Sequence, residues 1–102
     1  MRATLYNPQL DPAQVDSNGL SLPDKATGQA NIPEQVAVML DCSPDLVDVL
    51  ACGPHYVAYS IFDSEQNINL SAMQALTELT GTVFETDDED HVLRGPVLVV
   101  QA

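Results

Sequence analysis

The stretch Ser43–Phe62 constrains the fold more than any other part of the sequence. It reads as a capped helix that stops abruptly and gives way to a run of aromatic and β-branched residues. Ser43 suits an N-cap, because its hydroxyl can accept a hydrogen bond from an unpaired first-turn amide. Pro44 at the first helical position loses no hydrogen bond. Asp45 and Asp48 set negative charge near the positive end of the helix dipole. Leu46, Val47, Val49 and Leu50 then share one face at helical spacing. Gly53 offers a left-handed C-terminus, and Pro54 forbids continuation. From His55 to Phe62 the composition is that of a half-buried strand.

The remaining elements follow from the same reasoning. Arg2–Tyr6 alternates as a first strand, and Asn7-Pro8 ends it. A long loop over about residues 7–31 follows, rich in Pro, Asp, Asn, Gly and Ser. Within it, Asp11 and Pro12 suit the start of a short helical turn through Val15, and Asn18-Gly19 suits a tight turn. Leu10, Val15, Leu20 and Leu22 are expected to tie the loop down. Pro33 and Glu34 after Asn31 resemble a helix start. However, Val36, Val38 and Leu40 alternate with Ala37 and Met39, which favours a strand covered on both faces over Ile32–Leu40. A second helix, capped by Asn69 or Ser71 and closed by Gly81, carries Ala72, Met73, Ala75, Leu76 and Leu79 at helical spacing. Thr82–Thr86 is expected as a short strand, Asp87–His91 as an acidic turn and Val92–Val100 as the last strand. Arg94-Gly95-Pro96 should interrupt that strand early, while Val97–Val100, apolar on both faces, should lie centrally. The expected order is β-β-α-β-α-β-β. It implies one domain over 1–102 in the α+β class, a mixed, mostly antiparallel sheet of about five strands with two helices on one face.

Charge limits function most. Fifteen acids face three bases, Arg2, Lys25 and Arg94, for a net charge of −12. No Lys or Arg lies between Ala26 and Leu93, where twelve acids fall. Direct binding of nucleic acid or of an anionic membrane needs a basic surface and is therefore not expected. A basic protein partner is the natural complement. Apolar residues make up 45% of the chain, enough for a core. No apolar run reaches the roughly 18 residues of a membrane span. The N-terminus lacks the apolar centre of a secretory signal, so a cytoplasmic location, or a host cytosol for a viral product, is expected. Ten helical residues between Cys42 and Cys52 would span about 15 Å, past the ~7 Å limit for a disulfide. Both thiols are expected to be reduced.

The chemistry-bearing residues form no catalytic or metal site. Cys42, Cys52, His55 and His91 lack the close pairs of a zinc centre. Cys52 and His55 lack a third residue to orient them as nucleophile and base. Asp63, Glu65, Asn67 and Asn69 alternate oxygen donors as calcium loops do, yet Ile68 and Gln74 stand where such a loop needs Gly and Glu. No nucleophile elbow or phosphate loop occurs. No enzyme activity, metal or cofactor is expected. The candidate partner-binding residues are Asp63, Glu65, Glu85, Asp87, Asp88, Glu89 and Asp90. A domain of this size is roughly 33 Å across. Duplex DNA of that length carries about 19 charges, so the total charge here is of the order that a DNA mimic would need.

Four segments carry a resemblance: Tyr56–Phe62, Asp63–Leu70, Ala72–Leu79 and Arg94–Val100. They lie in the part of the chain from Leu46 onward, about half of it, which resembles a family of small domains of unknown function from phage and plasmid genomes. The resemblance implies a mobile element as genomic context and supplies no catalytic residues. The expectation is a small acidic protein acting by protein–protein interaction, of the DNA-mimic inhibitor type, against a host nucleic-acid-binding or defence protein. The competing class is a structural or accessory module, an oligomer or phage component, whose acidity serves only solubility. The sequence sets no oligomeric state.

Overall fold

A computed structural model of the chain describes residues 1–88 and 92–102. Strands β1 (Arg2–Tyr6) and β2 (Ala13–Val15) are followed by helix α1 (Glu34–Leu40). After a 3₁₀ turn at Pro44–Leu46 come β3 (Val47–Gly53), β4 (Tyr56–Ile61), helix α2 (Leu70–Thr80) and β5 (Val97–Gln101). The five strands form one sheet in the order β2-β1-β5-β4-β3, antiparallel at every pairing. The fold is α+β, with a five-stranded antiparallel sheet and two helices. The order along the chain is β-β-α-β-β-α-β, which corrects the expected sequence of elements.

The correction comes from two neighbouring segments whose conformations are exchanged. Residues 34–40 are helical, and their burial shows why. Val36, Ala37 and Leu40 are buried on one side, whereas Val38 is 80% exposed. The apolar alternation that suggested a strand places Val38 in solvent, so helical period wins. Asp41 ends the helix in the left-handed region, φ 57°, and its amide donates to the Val38 carbonyl at 3.2 Å. In the segment expected as the central helix, Pro44 and Asp45 start only a single 3₁₀ turn. The β-branched residues Val47 and Val49 then extend and pair with β4. Gly53-Pro54 is the start of a hairpin turn, not the end of a helix. Gly53 is needed for close approach, since a Cβ there would lie 2.5 Å from the Tyr56 ring.

Smaller differences have similar causes. Residues 13–15 join the sheet as β2, with Gln14 Nε2 donating to Thr4 Oγ1 at 3.0 Å, so no helical turn forms there. No strand forms over 82–86. The last strand begins only at Val97, because Gly95 has φ 74° and Arg94 makes just an isolated bridge to Ile68. The expected acidic turn lies partly outside the described residues, at 89–91.

The helices lie on opposite faces of the sheet, which corrects the expectation of one face. Central strand β5 decides this by simple alternation. Leu98 and Val100 pack with Val36, Ala37 and Leu40 of α1. Val97 and Val99 pack with Ala72, Met73 and Leu76 of α2. The long loop is tied down largely as expected: Leu20 is buried in the α1-side core, and Val15 and Leu22 pack against it. Leu10 does not join them and is 65% exposed. The Asn18-Gly19 turn forms, and Gln35 of α1 donates to the Asn18 carbonyl. Tyr59 holds the loop's far end, its buried phenol donating to the Asn31 carbonyl at 2.5 Å.

On the other face a single amide joins three elements. Asn69 is fully buried. Its Oδ1 accepts from the Ala72 amide at 3.1 Å and so caps α2. Its Nδ2 donates to the carbonyls of Tyr6 (2.9 Å) and Gly95 (2.8 Å), linking α2 to β1 and to the approach to β5. Gly81, left-handed at φ 78°, closes the helix.

Two predictions follow from these anchors. Asn69→Ala should lower stability by about 2–4 kcal/mol, through a lost cap and orphaned carbonyls. Asn69→Asp keeps the cap acceptor but turns a carboxylate toward two carbonyls, so its urea midpoint should fall at least as far as that of the alanine variant. An aspartate variant close to wild type would show that the cap alone matters. The second concerns alkali. Burial pushes the Tyr59 phenol above its ordinary 10.0, with Cys52 adding to the effect. Burial likewise raises the Cys42 thiol above 9.0, with Asp41 adding. In each case the unfolded chain releases its proton first, so this stability is full below the ordinary values and is lost as pH rises past them. Urea midpoints should hold up to about pH 8 and then decline. The decline should be shallower in a Tyr59→Phe, Cys42→Ala double variant.

Candidate functional site

The corner where β4 leaves the sheet carries the site. The Phe62 amide donates to the Leu46 carbonyl at 2.7 Å, so the chain stays paired one residue beyond β4. Asp63 then adopts φ 53° and turns away from the sheet. The loop that follows is held from the opposite side. Arg94 donates to the Gln66 carbonyl at 3.2 Å, and the Gly95 amide donates to the Asn67 carbonyl at 3.0 Å. Gly95 permits this approach: its φ is 74°, and a Cβ there would lie 2.9 Å from Ser64 Oγ. Ile61–Glu65 is thereby fixed as a ridge.

A depression lies on each side of the ridge, and both are lined by Asp63 and Glu65. The one toward α2, about 620 Å³, also includes Asp48, Ser60 and Arg94. Asp48 reaches it because β3 pairs Asp48 with Ser60 on that face. The one toward α1, about 750 Å³, includes Asp41 and the apolar side chains of Cys42, Leu46 and Phe62. Phe62 is 65% exposed and Leu46 is 42% exposed. Asp45 precedes Leu46 in the 3₁₀ turn and is exposed. Burial and the neighbouring Asp41 carboxylate push the Cys42 thiol above its ordinary 9.0.

Of the candidate residues, Asp63 and Glu65 are brought together. Glu85, Asp87 and Asp88 lie on the segment after α2 and line neither depression. The Asp88 carbonyl accepts from the Val92 amide at 2.9 Å, and Val92 lines the α2-side depression, so that segment returns to its rim. Glu89 and Asp90 lie outside the described residues. The reading from sequence missed Asp41, Asp45 and Asp48. Placing 43–52 on a helix sent Asp45 and Asp48 elsewhere, and reading 32–40 as a strand hid the turn at Asp41; pairing 47–53 with 56–61 would have found Asp48.

The other candidate residues are placed as follows. Cys42 and Cys52 are both free and sit beyond or near opposite ends of β3. Cys52 lines a separate depression of about 280 Å³ beside Lys25 and Pro54. His91 is outside the described residues. The Asn69 side chain is committed to the cap and the two carbonyls, so it cannot serve a calcium loop. Among the described residues, no group of three or more His, Cys, Asp or Glu is placed to hold a metal ion. Among the same residues, no helix is long and apolar enough to cross a membrane. Compared with protein-family models, with curated proteins and with solved structures, the chain has no significant match.

The ridge depends on Gly95, and this can be measured. Gly95→Ala imposes both an unfavourable φ and a steric contact, and should cost about 1–3 kcal/mol. Gly28 has φ 73° but open space around a Cβ. Gly28→Ala should therefore shift the urea midpoint less, and only Gly95→Ala should speed amide exchange at Asn67–Asn69. Equal shifts in the two variants would mean that the contact with Ser64 does not brace the ridge.

Proposed function

We propose that this chain is a small acidic interaction protein of a mobile element, which binds a basic, nucleic-acid-binding protein of its host and blocks the surface where nucleic acid would sit. The observation that carries the reading is the gathering of Asp41, Asp48, Asp63 and Glu65 around one exposed ridge. Carboxylates held this way can occupy the positions that phosphates take on a cationic surface, and they speed encounter with it. The amount of charge is adequate. The longest dimension is 37 Å, and that length of duplex carries about 22 charges, against a net −12 here. The same field repels nucleic acid and anionic lipid, so the action is on a protein, and the proposal sets that action in a host cytosol.

A second reading has its own support. Leu10 and Leu70 are 65% and 63% exposed and line a depression of about 600 Å³ whose lining, among the described residues, includes no carboxylate. A structural or accessory module would use apolar surface of this kind, and its association would be indifferent to salt.

The test compares wild type with a variant carrying Asp41→Asn, Asp48→Asn, Asp63→Asn and Glu65→Gln. Each protein is immobilised and offered a panel of purified bacterial DNA-binding proteins at low salt, then at rising salt. Wild type should hold at least one of them, release it steeply with salt, and prevent it from binding duplex DNA. The variant should bind about tenfold or more weakly. Equal binding by the two proteins, or release that ignores salt, would count against the mimic and for the apolar module.

A further inference from the structure

The two depressions beside the ridge differ in a way that defines the occupant of one of them. The α2-side depression contains Arg94, which offsets part of its negative charge. Among the described residues, the α1-side depression has no Lys, Arg or His in its lining. Its charged lining is Asp41, Asp63 and Glu65, and its apolar lining is Cys42, Leu46, Ile61 and Phe62. At about 750 Å³ it is a broad, open depression, a shape that suits an extended segment lying on the surface. Leu46 and Phe62 present apolar surface to solvent in the same depression as three carboxylates. A purely electrostatic surface has no use for them.

We propose that this depression docks a short basic segment of another protein, with one apolar side chain seated on Leu46 and Phe62 and flanking Lys or Arg side chains on Asp41, Asp63 and Glu65. Charge complementarity selects this occupant. A second copy of the chain would bring the same carboxylates against one another, and the whole chain has three Lys and Arg with which to answer them. A purely apolar segment would leave the three carboxylates facing an uncharged surface as they lost water, a cost without return. A purely basic one would leave Leu46 and Phe62 uncovered. The proposal rests on the reading of this corner as a surface for a basic partner, and it adds the form of the contact: an anchored linear segment.

The experiment uses two fluorescent peptides of equal charge, titrated against the full chain at low and moderate salt. One has a single leucine within a run of lysines and arginines, and the other has serine in its place. Wild type should bind the leucine peptide about tenfold more tightly, as expected for covering one such side chain. Phe62→Ser and Leu46→Ser, both at exposed positions, should erase that difference while leaving the urea midpoint near wild type. Asp63→Asn with Glu65→Gln should weaken both peptides in parallel. Equal affinity for the two peptides, lost in the acid-neutralised variant, would overturn the anchored segment and leave the acidic surface standing. Failure to bind either peptide at low salt would overturn both. A leucine peptide indifferent to neutralisation of the acids would show an apolar occupant and overturn the basic one.

Discussion

Val97–Val100 has no side that faces water, and the architecture follows from that. Four consecutive apolar residues in an extended chain point alternately to both faces of a sheet, so the strand must be central and both faces must be covered. Neighbours β1 and β4 supply the pairing, and one helix packs on each face. The helices are short and contribute little intrinsic stability of their own. They persist because Leu40 and Val36 on one, and Leu76 and Ala72 on the other, bury against the same strand from opposite directions. Asn69 completes the arrangement by fixing the start of α2 to the backbone on both sides of β5's entry.

How much of this was legible depended on where local signals agreed with tertiary ones. The second helix was readable because its cap, its apolar spacing and its closing glycine all pointed the same way. Likewise β1, β4 and the core of β5 were readable from composition and alternation. The exchange of 34–40 and 43–52 arose where local signals conflicted with pairing. Ser43, Pro44 and Asp45 are a sound helix start, and a turn of 3₁₀ helix does form there. Pairing with β4 across the Pro54-His55 turn, and of β4 in turn with β5, is a gain that a helix start read by itself does not count, and it overrides that start. The helices' placement could have been inferred. Central, two-sided burial of Val97–Val100 was expected from the sequence, and it already required cover on both faces.

The site was legible in kind and only partly in place. An excess of carboxylates was plain, and Asp63 and Glu65 do line the same two depressions. The densest run, from Glu85 onward, drew attention because its residues are adjacent in sequence. Adjacency in space depends instead on the β3–β4 register, which brings Asp48 opposite Ser60 and carries Asp63 around the same corner. The exposure of Phe62 was equally hidden, because an aromatic residue at the end of an apolar strand is ordinarily counted with the core.

The carboxylates at this corner do not all call for the same explanation. Strand β3 is an outer strand, and its free edge invites unwanted pairing. A register break at Leu50 and the charge of Asp48 both discourage that, so Asp48 has a structural reason to be acidic. Asp45 lies in the first turn of a 3₁₀ segment, where negative charge is favoured. Asp41 and Asp63 have a different local reason: both occupy left-handed backbone, φ 57° and 53°, a conformation that Asp adopts more readily than most residues other than glycine. Asp41 also sits at the C-terminal end of α1, where a negative charge is unfavourable. Both line the same depression beside an exposed phenylalanine, and the position of Asp41 is a local cost that the proposed partner contact would offset. Under that proposal the contact rests on Asp41, Asp63 and Phe62 more than on the edge strand behind them, whose acid has a structural reason of its own.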